Sequence, residues 1–150
     1  MKLNDIIQGL DIINVKGELN IDINNVQYDS RKVTKGTLFI CIKGFVSDGH
    51  KYIKDAIEKG ASAFLVEEDV EIKGCTLKKV KETRKDMAKV ADNFYNHPSQ
   101  KFNVIGVTGT NGKTSITTIL NEILTLNKNK VGLIGTIKIF DGEKDIVSNS

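Results

Sequence analysis

The sequence predicts an α/β chain in which a mixed α/β domain is followed by the start of a parallel-sheet domain with a phosphate-binding loop. Three observations predict it. Short β-branched or aromatic runs alternate with helix-patterned stretches through the first hundred residues, which favours layered α/β architecture over an all-α or all-β one. The only proline, Pro98, ends a long helical pattern. After it, apolar run, glycine-rich turn, helical pattern and apolar run follow in the order of one βαβ unit.

Leu3, Ile6, Ile7 and Leu10 stand at helical spacing and predict a short first helix. "TLFICI" (37–42) predicts a buried strand in which Cys41 is a small core residue. After "KGFVSDGH", where Asp48-Gly49 reads as a plain turn, Tyr52, Ile53, Ala56 and Ile57 predict a helix closed by Gly60. "SAFLV" (62–66) is the next strand. From Thr83 a longer helix begins, with Thr83 and Asp86 as a capping pair and Met87, Val90, Ala91 and Phe94 as its core-facing stripe. It should stop at "NHPSQ" (96–100), because Pro98 disfavours helical angles at His97. The domain boundary is set there, giving 1–97 and 98–150.

Beyond the boundary, "FNVIGV" (102–107) predicts a central parallel strand, Ile116, Ile119, Leu120, Ile123 and Leu124 a helix, and "VGLIG" (131–135) the following strand. Asp141-Gly142 marks a hairpin or loop. A unit of about fifty residues with so few strands hardly covers both faces of a parallel sheet. The sequence therefore predicts the front part of a longer protein.

Of the 150 residues, 39% are apolar and 27% charged, as in a soluble globular chain. A net charge of +3, spread without a basic stripe interleaved with aromatics, argues against a nucleic-acid partner. Lys78, Lys79 and Lys81 read as solvated surface. Cys41 and Cys75 lie too far apart for a disulfide framework, and His50 and His97 have no partner at metal-ligand spacing. No stretch has the form of a signal peptide or the length of a membrane span, so a cytoplasmic protein is expected.

The stretch "GVTGTNGKTS" (106–115) carries the chemistry. The common phosphate loop, G-x-x-x-x-G-K-[ST], would need glycine where Val107 stands. The physical logic nevertheless holds: glycines let amides turn toward an anion, and a helix starting near Lys113 or Thr114 adds its positive end. Lys113 would reach phosphate oxygens, Thr114 would offer its hydroxyl to magnesium, and Thr110 and Asn111 would shape the turn. A ligand-free glycine turn is the alternative. The context of preceding strand and following helix disfavours it.

This stretch resembles the shortened loop T-G-T-N-G-K-T of the Mur ligases, ATP-dependent enzymes that add amino acids to the peptidoglycan precursor. Residues 28–68 resemble that family's N-terminal nucleotide-sugar domain, with D-S-R, G-x-L-F-x-C, G-x-x-x-D-G and A-x-x-x-G-A in order. "YNHPSQKFNVIGVTGTNGKTS" and "VGLIGTI" resemble most the branch that adds the third amino acid.

The resemblance implies ATP on Gly109, Thr110, Asn111, Gly112, Lys113, Thr114 and Ser115, with Lys113 as the catalytic cation and Thr114 as the Mg2+ ligand. It implies that the uridine diphosphate end of the substrate lies on Tyr28, Asp29, Ser30 and Arg31 and on Gly44, Phe45, Val46 and Ser47. Phe45 stands where some members carry histidine, and would lie against uracil. For "YDSR" the residues themselves leave open a turn in which Asp29 caps backbone and pairs with Arg31. The implied substrates are UDP-N-acetylmuramoyl-L-Ala-D-Glu and a diamino acid, diaminopimelate or lysine, joined through an acyl phosphate by a monomer. The 150 residues alone are expected to be inactive. Alternatives are a stand-alone UDP-sugar or nucleotide-binding module, a MurF-type ligase, in which serine usually replaces Thr110, and a folylpolyglutamate synthetase, which lacks the "DSRKV" domain.

Overall fold

Thr37–Ile40 (β3), buried at all four positions, is the strand around which the first part of the chain is built. The structure, a computed structural model, describes residues 1–44, 47–72 and 74–146. It divides into two units, Met1–Asn103 and Val104–Ser150. In the first unit β3 is accompanied by helices Leu3–Ile6 (α1), Ile53–Glu58 (α2) and Thr83–Phe94 (α3) and by strands Ile12–Lys16 (β1), Asn25–Gln27 (β2), Ala61–Val66 (β4) and Thr76–Val80 (β5). The sheet order is β1-β5-β4-β3-β2, with β2 to β5 parallel and β1 an antiparallel edge.

Alternation along the strands splits the core in two. Leu38, Ile40, Ala63, Leu65 and Val80 meet Leu3 and Ile6 of α1 and Val90 of α3 on one face. Phe39, Cys41, Phe64, Val66 and Leu77 meet Ile53 and Ala56 of α2 on the other, and the rings of Phe39 and Phe64 pack edge-on at 6.2 Å. Burial on both faces is why β3 and β4 read as unbroken apolar runs. Gly60 closes α2 at φ +92°, its amide donating to the Ile57 carbonyl at 2.9 Å.

Two expectations for this unit are corrected. Thr83 is the first helical residue of α3 and not half of a capping pair with Asp86. Its amide donates to Glu67 Oε1 at 2.8 Å, and its hydroxyl lies 2.8 Å from the same oxygen and 3.0 Å from the Cys41 carbonyl. A carboxylate arriving from the end of β4 satisfies the orphan donor that a local cap would have served. Lys78 is fully buried, unlike exposed Lys81, because β5 is an interior strand covered on both faces. Burial pushes its ammonium pKa down. Lys79, half-buried, pairs with Asp69.

The chain leaves α3 through Asn96 and His97, both at positive φ, before a 3₁₀ turn at Pro98–Gln100. The helix ends where expected, and His97 takes left-handed angles in place of right-handed helical ones. Asp92 holds it there, accepting the His97 amide at 2.8 Å on its carbonyl and meeting Nδ1 at 2.7 Å.

The second unit contains Lys113–Leu126 (α4) and three two-residue strands, Leu133–Ile134 (β6), Ile139–Phe140 (β7) and Asp145–Ile146 (β8), in an antiparallel meander. The predicted parallel βαβ is not formed. Residues 102–107 join no ladder, and the predicted strand at 131–135 shrinks to β6, which pairs with its sequence neighbour β7. None of the described residues from 104 to 146 is buried, so no apolar layer holds a parallel sheet there. Hairpin pairing, which needs only a short loop, takes its place. The turn at Asp141-Gly142 forms as predicted, with Asp141 Oδ1 accepting from the amides of Glu143 and Lys144 at 2.9 and 2.8 Å.

Candidate functional site

The second unit carries the loop. Gly112 takes φ 79° and stands as N-cap of α4 with no side chain bonded over the helix end. The amides of Lys113, Thr114 and Ser115 therefore belong to the group that an α-helix leaves without internal partners. Gly109 turns at φ 151°. Between them the loop bends round its own ammonium: Lys113 Nζ donates to the carbonyls of Gly109 at 2.6 Å and Thr110 at 3.3 Å. Residues 109–115 are all exposed, Thr110, Asn111 and Ser115 among them. A Cβ on Gly112 would meet nothing within 4 Å, so backbone conformation, not crowding, calls for glycine.

Open amides, a helix N-terminus and one lysine fit a polyphosphate. The Thr114 hydroxyl, exposed in the first turn, is a hard oxygen of the kind magnesium takes. Among the described residues no three His, Cys, Asp or Glu side chains gather into a metal site.

The first unit carries a cavity of about 440 Å³ beside the end of β3, within the range of small-molecule sites. Of the residues the sequence singled out, Tyr28, Gly44 and Ser47 line it. So do Tyr52, Arg84 and Met87, which sequence reasoning missed as site residues. Phe45 and Val46 lie outside the described residues. Ser47 Oγ and Tyr52 OH are 3.0 Å apart. Gly44 donates to the Ser47 carbonyl at 2.9 Å, and Gly49 to the Ile42 carbonyl at 2.9 Å. A Cβ on Gly49 would stand 2.7 Å from the Ile42 nitrogen, so this turn admits no side chain there.

Asp29, Ser30 and Arg31 are not among the lining residues. The Arg31 guanidinium grips Asp29 with Nε at 2.9 and 3.2 Å and Nη2 at 2.8 Å, while the Arg31 amide donates to the same carboxylate at 3.0 Å. These bonds lower the Asp29 pKa to about 2. Ser30 is buried, its carbonyl accepting from Lys59 at 3.0 Å. Asp55 is held below the usual carboxylate range by Lys59 first and by a hydrogen bond from Ser30 next.

Behind the cavity, Asp48 Oδ1 accepts from the His50 amide at 3.0 Å and meets His50 Nδ1 at 2.7 Å, and His50 Nε2 faces the Glu67 amide at 3.1 Å. An N–H donor at Nε2 requires the proton on Nδ1. The His50 ring, read from sequence as structural or surface, is thus a strut between the cavity turn and the end of β4. Glu67 passes the connection on to Thr83, next to Arg84. No local pattern could have flagged Arg84, since only the sheet order brings the start of α3 beside the end of β3.

The sequence pattern "Mur ligase family, catalytic domain" matches residues 22–101, and "Mur ligase middle domain" matches 107–149. A UDP-N-acetylmuramoyl-L-alanyl-D-glutamate--2,6-diaminopimelate ligase of Clostridioides difficile (strain 630) is 97% identical over 150 residues, all of this chain and 31% of that protein. The chain thus spans about a third of the length of this relative. A MurF ligase from Thermotoga maritima, solved in complex with ADP, is similar at 31% identity and a TM-score of 0.56, covering 71% of this chain and 24% of its own. A solved UDP-N-acetylmuramoyl-L-alanyl-D-glutamate--2,6-diaminopimelate ligase shares the fold at a TM-score of 0.69 and 21% identity, over 93% of this chain and 28% of that one.

Proposed function

The chain belongs to the Mur ligase family, and from that premise we propose that it forms the leading third of an ATP-dependent ligase of peptidoglycan precursor synthesis. The ligase adds a diamino acid to UDP-N-acetylmuramoyl-L-Ala-D-Glu in the cytoplasm. The 97% identical relative's name supports diaminopimelate as that amino acid. The observation that carries the reading is the exposed loop 109–112 opening onto the uncapped start of α4 at Lys113.

The chemistry follows from the electrophile. A carboxylate is a poor acyl donor, since its charge is delocalised and oxide is a bad leaving group. Phosphoryl transfer from ATP turns it into an acyl phosphate and releases ADP. The amine then attacks the acyl carbon, loses its proton, and phosphate leaves from the tetrahedral intermediate. Lys113 would leave the Gly109 and Thr110 carbonyls to meet the transferring phosphoryl group, while the loop amides hold the phosphate chain in line. Magnesium, when bound, neutralises phosphate charge, and Thr114 would supply a ligand to it. In the first unit Tyr28, Gly44 and Ser47 would hold the uridine diphosphate end, with Asp29, Ser30 and Arg31 shaping the adjacent turn.

The test is phosphate release by the full-length ligase supplied with Mg-ATP, UDP-N-acetylmuramoyl-L-Ala-D-Glu and diaminopimelate. Lys113→Ala should lower kcat by about a hundredfold or more, as loss of a charge-stabilising group does. Turnover unchanged by that substitution overturns the reading.

A second reading, a UDP-sugar-binding module, is favoured by one observation: among the described residues, every buried one belongs to the first unit. Calorimetric titration of the 150-residue chain separates the two. Binding of the UDP-dipeptide precursor without binding of Mg-ATP supports the module for this chain by itself. Binding of both supports a working ATP site.

A further inference from the structure

We propose that Arg84 is the cation that meets the diphosphate of a nucleoside diphosphate sugar in the first-unit cavity, beside the loop residues to which the resemblance gives that end of the substrate. The proposal rests on the nucleotide-sugar reading of that cavity.

Among the described residues lining the cavity, Tyr28, Ser47, Tyr52 and Met87 have neutral side chains and Arg84 alone carries a formal charge. A diphosphate moved out of water into a partly apolar cleft needs a counter-charge within hydrogen-bond reach. Guanidinium is the group best shaped for phosphate oxygens. The position of Arg84 suits this. It is the second residue of α3, and Met87, one turn further and on the same helical face, lines the cavity with it. The residue before it, Thr83, is fully buried and tied to Glu67 and the Cys41 carbonyl. The root of the Arg84 side chain is therefore set by the sheet and not by a loop, which limits the ordering cost on binding.

Arg31 does not line the cavity. Its guanidinium holds Asp29 in a fork. Releasing it would leave the Asp29 carboxylate without its partner.

The test uses the 150-residue chain, titrated with UDP, UMP and uridine while the backbone amide resonances of Gly44, Ser47 and Gly49 are followed by NMR. In the unmodified chain UDP should shift those resonances and bind more tightly than UMP, and UMP more tightly than uridine. Arg84→Ala should weaken UDP binding about tenfold or more, the usual worth of a hydrogen bond to a charged group, while uridine binding stays unchanged. Arg84→Lys should recover part of the loss. If Arg84→Ala lowers the melting temperature, the comparison passes to Arg84→Gln, which keeps length and donors without charge and should show the same selective loss for UDP. No shift of those amides with any of the three ligands would sink the nucleotide reading of the cavity, and this assignment with it. UDP affinity equal in the unmodified chain and the Arg84 variants, or lost in Arg31→Ala instead, would overturn the Arg84 assignment alone.

Discussion

Asp29 and His50 both stand at short 3₁₀ turns, yet the fold uses them differently. Asp29 is pinned by Arg31, and its pKa falls to about 2 from 3.8. A carboxyl depressed on folding adds stability above its unfolded pKa, and that contribution is lost as pH falls through the folded value. The loss should therefore run from about pH 4 to about pH 2. Carboxyl NMR titration should give a midpoint near 2, and Asp29→Asn should remove that step from the acid unfolding curve. A midpoint at the ordinary value would mean the fork with Arg31 does not persist in solution. His50 instead bridges Asp48 and the Glu67 amide with a ring almost out of solvent. Replacing it with alanine leaves a partly buried amide donor without its acceptor. The expected cost is about 1–3 kcal/mol in urea unfolding, and a smaller loss than 1 kcal/mol would mean water substitutes for the ring.

At the scale of elements, α2 depends on its stop as much as on its apolar face. Gly60 sits at φ +92°, and a Cβ there would come within 3.0 Å of the Lys35 Cα. Gly60→Ala combines a strained backbone with contact against backbone, and should cost about 1–3 kcal/mol by thermal melting followed by circular dichroism. Gly74, at a similar φ of +80° but with nothing within 4 Å of its absent Cβ, should tolerate alanine better. If the two variants melt together, close approach at Lys35 is not what Gly60 serves. Helix α4 presents the opposite case. Its residues Ile116, Ile119, Ile123 and Leu126 are between 50% and 82% exposed, so its apolar stripe has a periodicity but no partner among the described residues.

At the scale of the whole molecule, stability is concentrated in one unit. Both core clusters lie within Met1–Asn103, and burial of apolar surface is the dominant favourable term in folding. Hydrogen exchange should accordingly find amides of β3 and β4 protected up to the global unfolding free energy, and amides of α4 exchanging by local opening at far lower cost. Equal protection in both would contradict the burial pattern. The same imbalance leaves the exposed loop 109–115 on a unit in which none of the described residues is buried.

What could be read from the sequence is what depends on neighbours a few positions away. Periodicity sufficed for α2, α3, β3 and β4, because spacing dictates which side chains share a face. Gly60, Pro98 and Asp141-Gly142 sufficed for the turns, and the glycines of 109–112 for the bend that precedes the helix at Lys113. The tertiary structure decided everything that depends on residues far apart in the chain: the burial of Lys78, the capture of Thr83 by Glu67, the pairing of β6 with β7, and the meeting of Arg84 with Tyr28 at one cavity. Local pattern constrains dihedral angles and faces, whereas partnership between distant segments is settled only when their surfaces compete for burial and for hydrogen bonds.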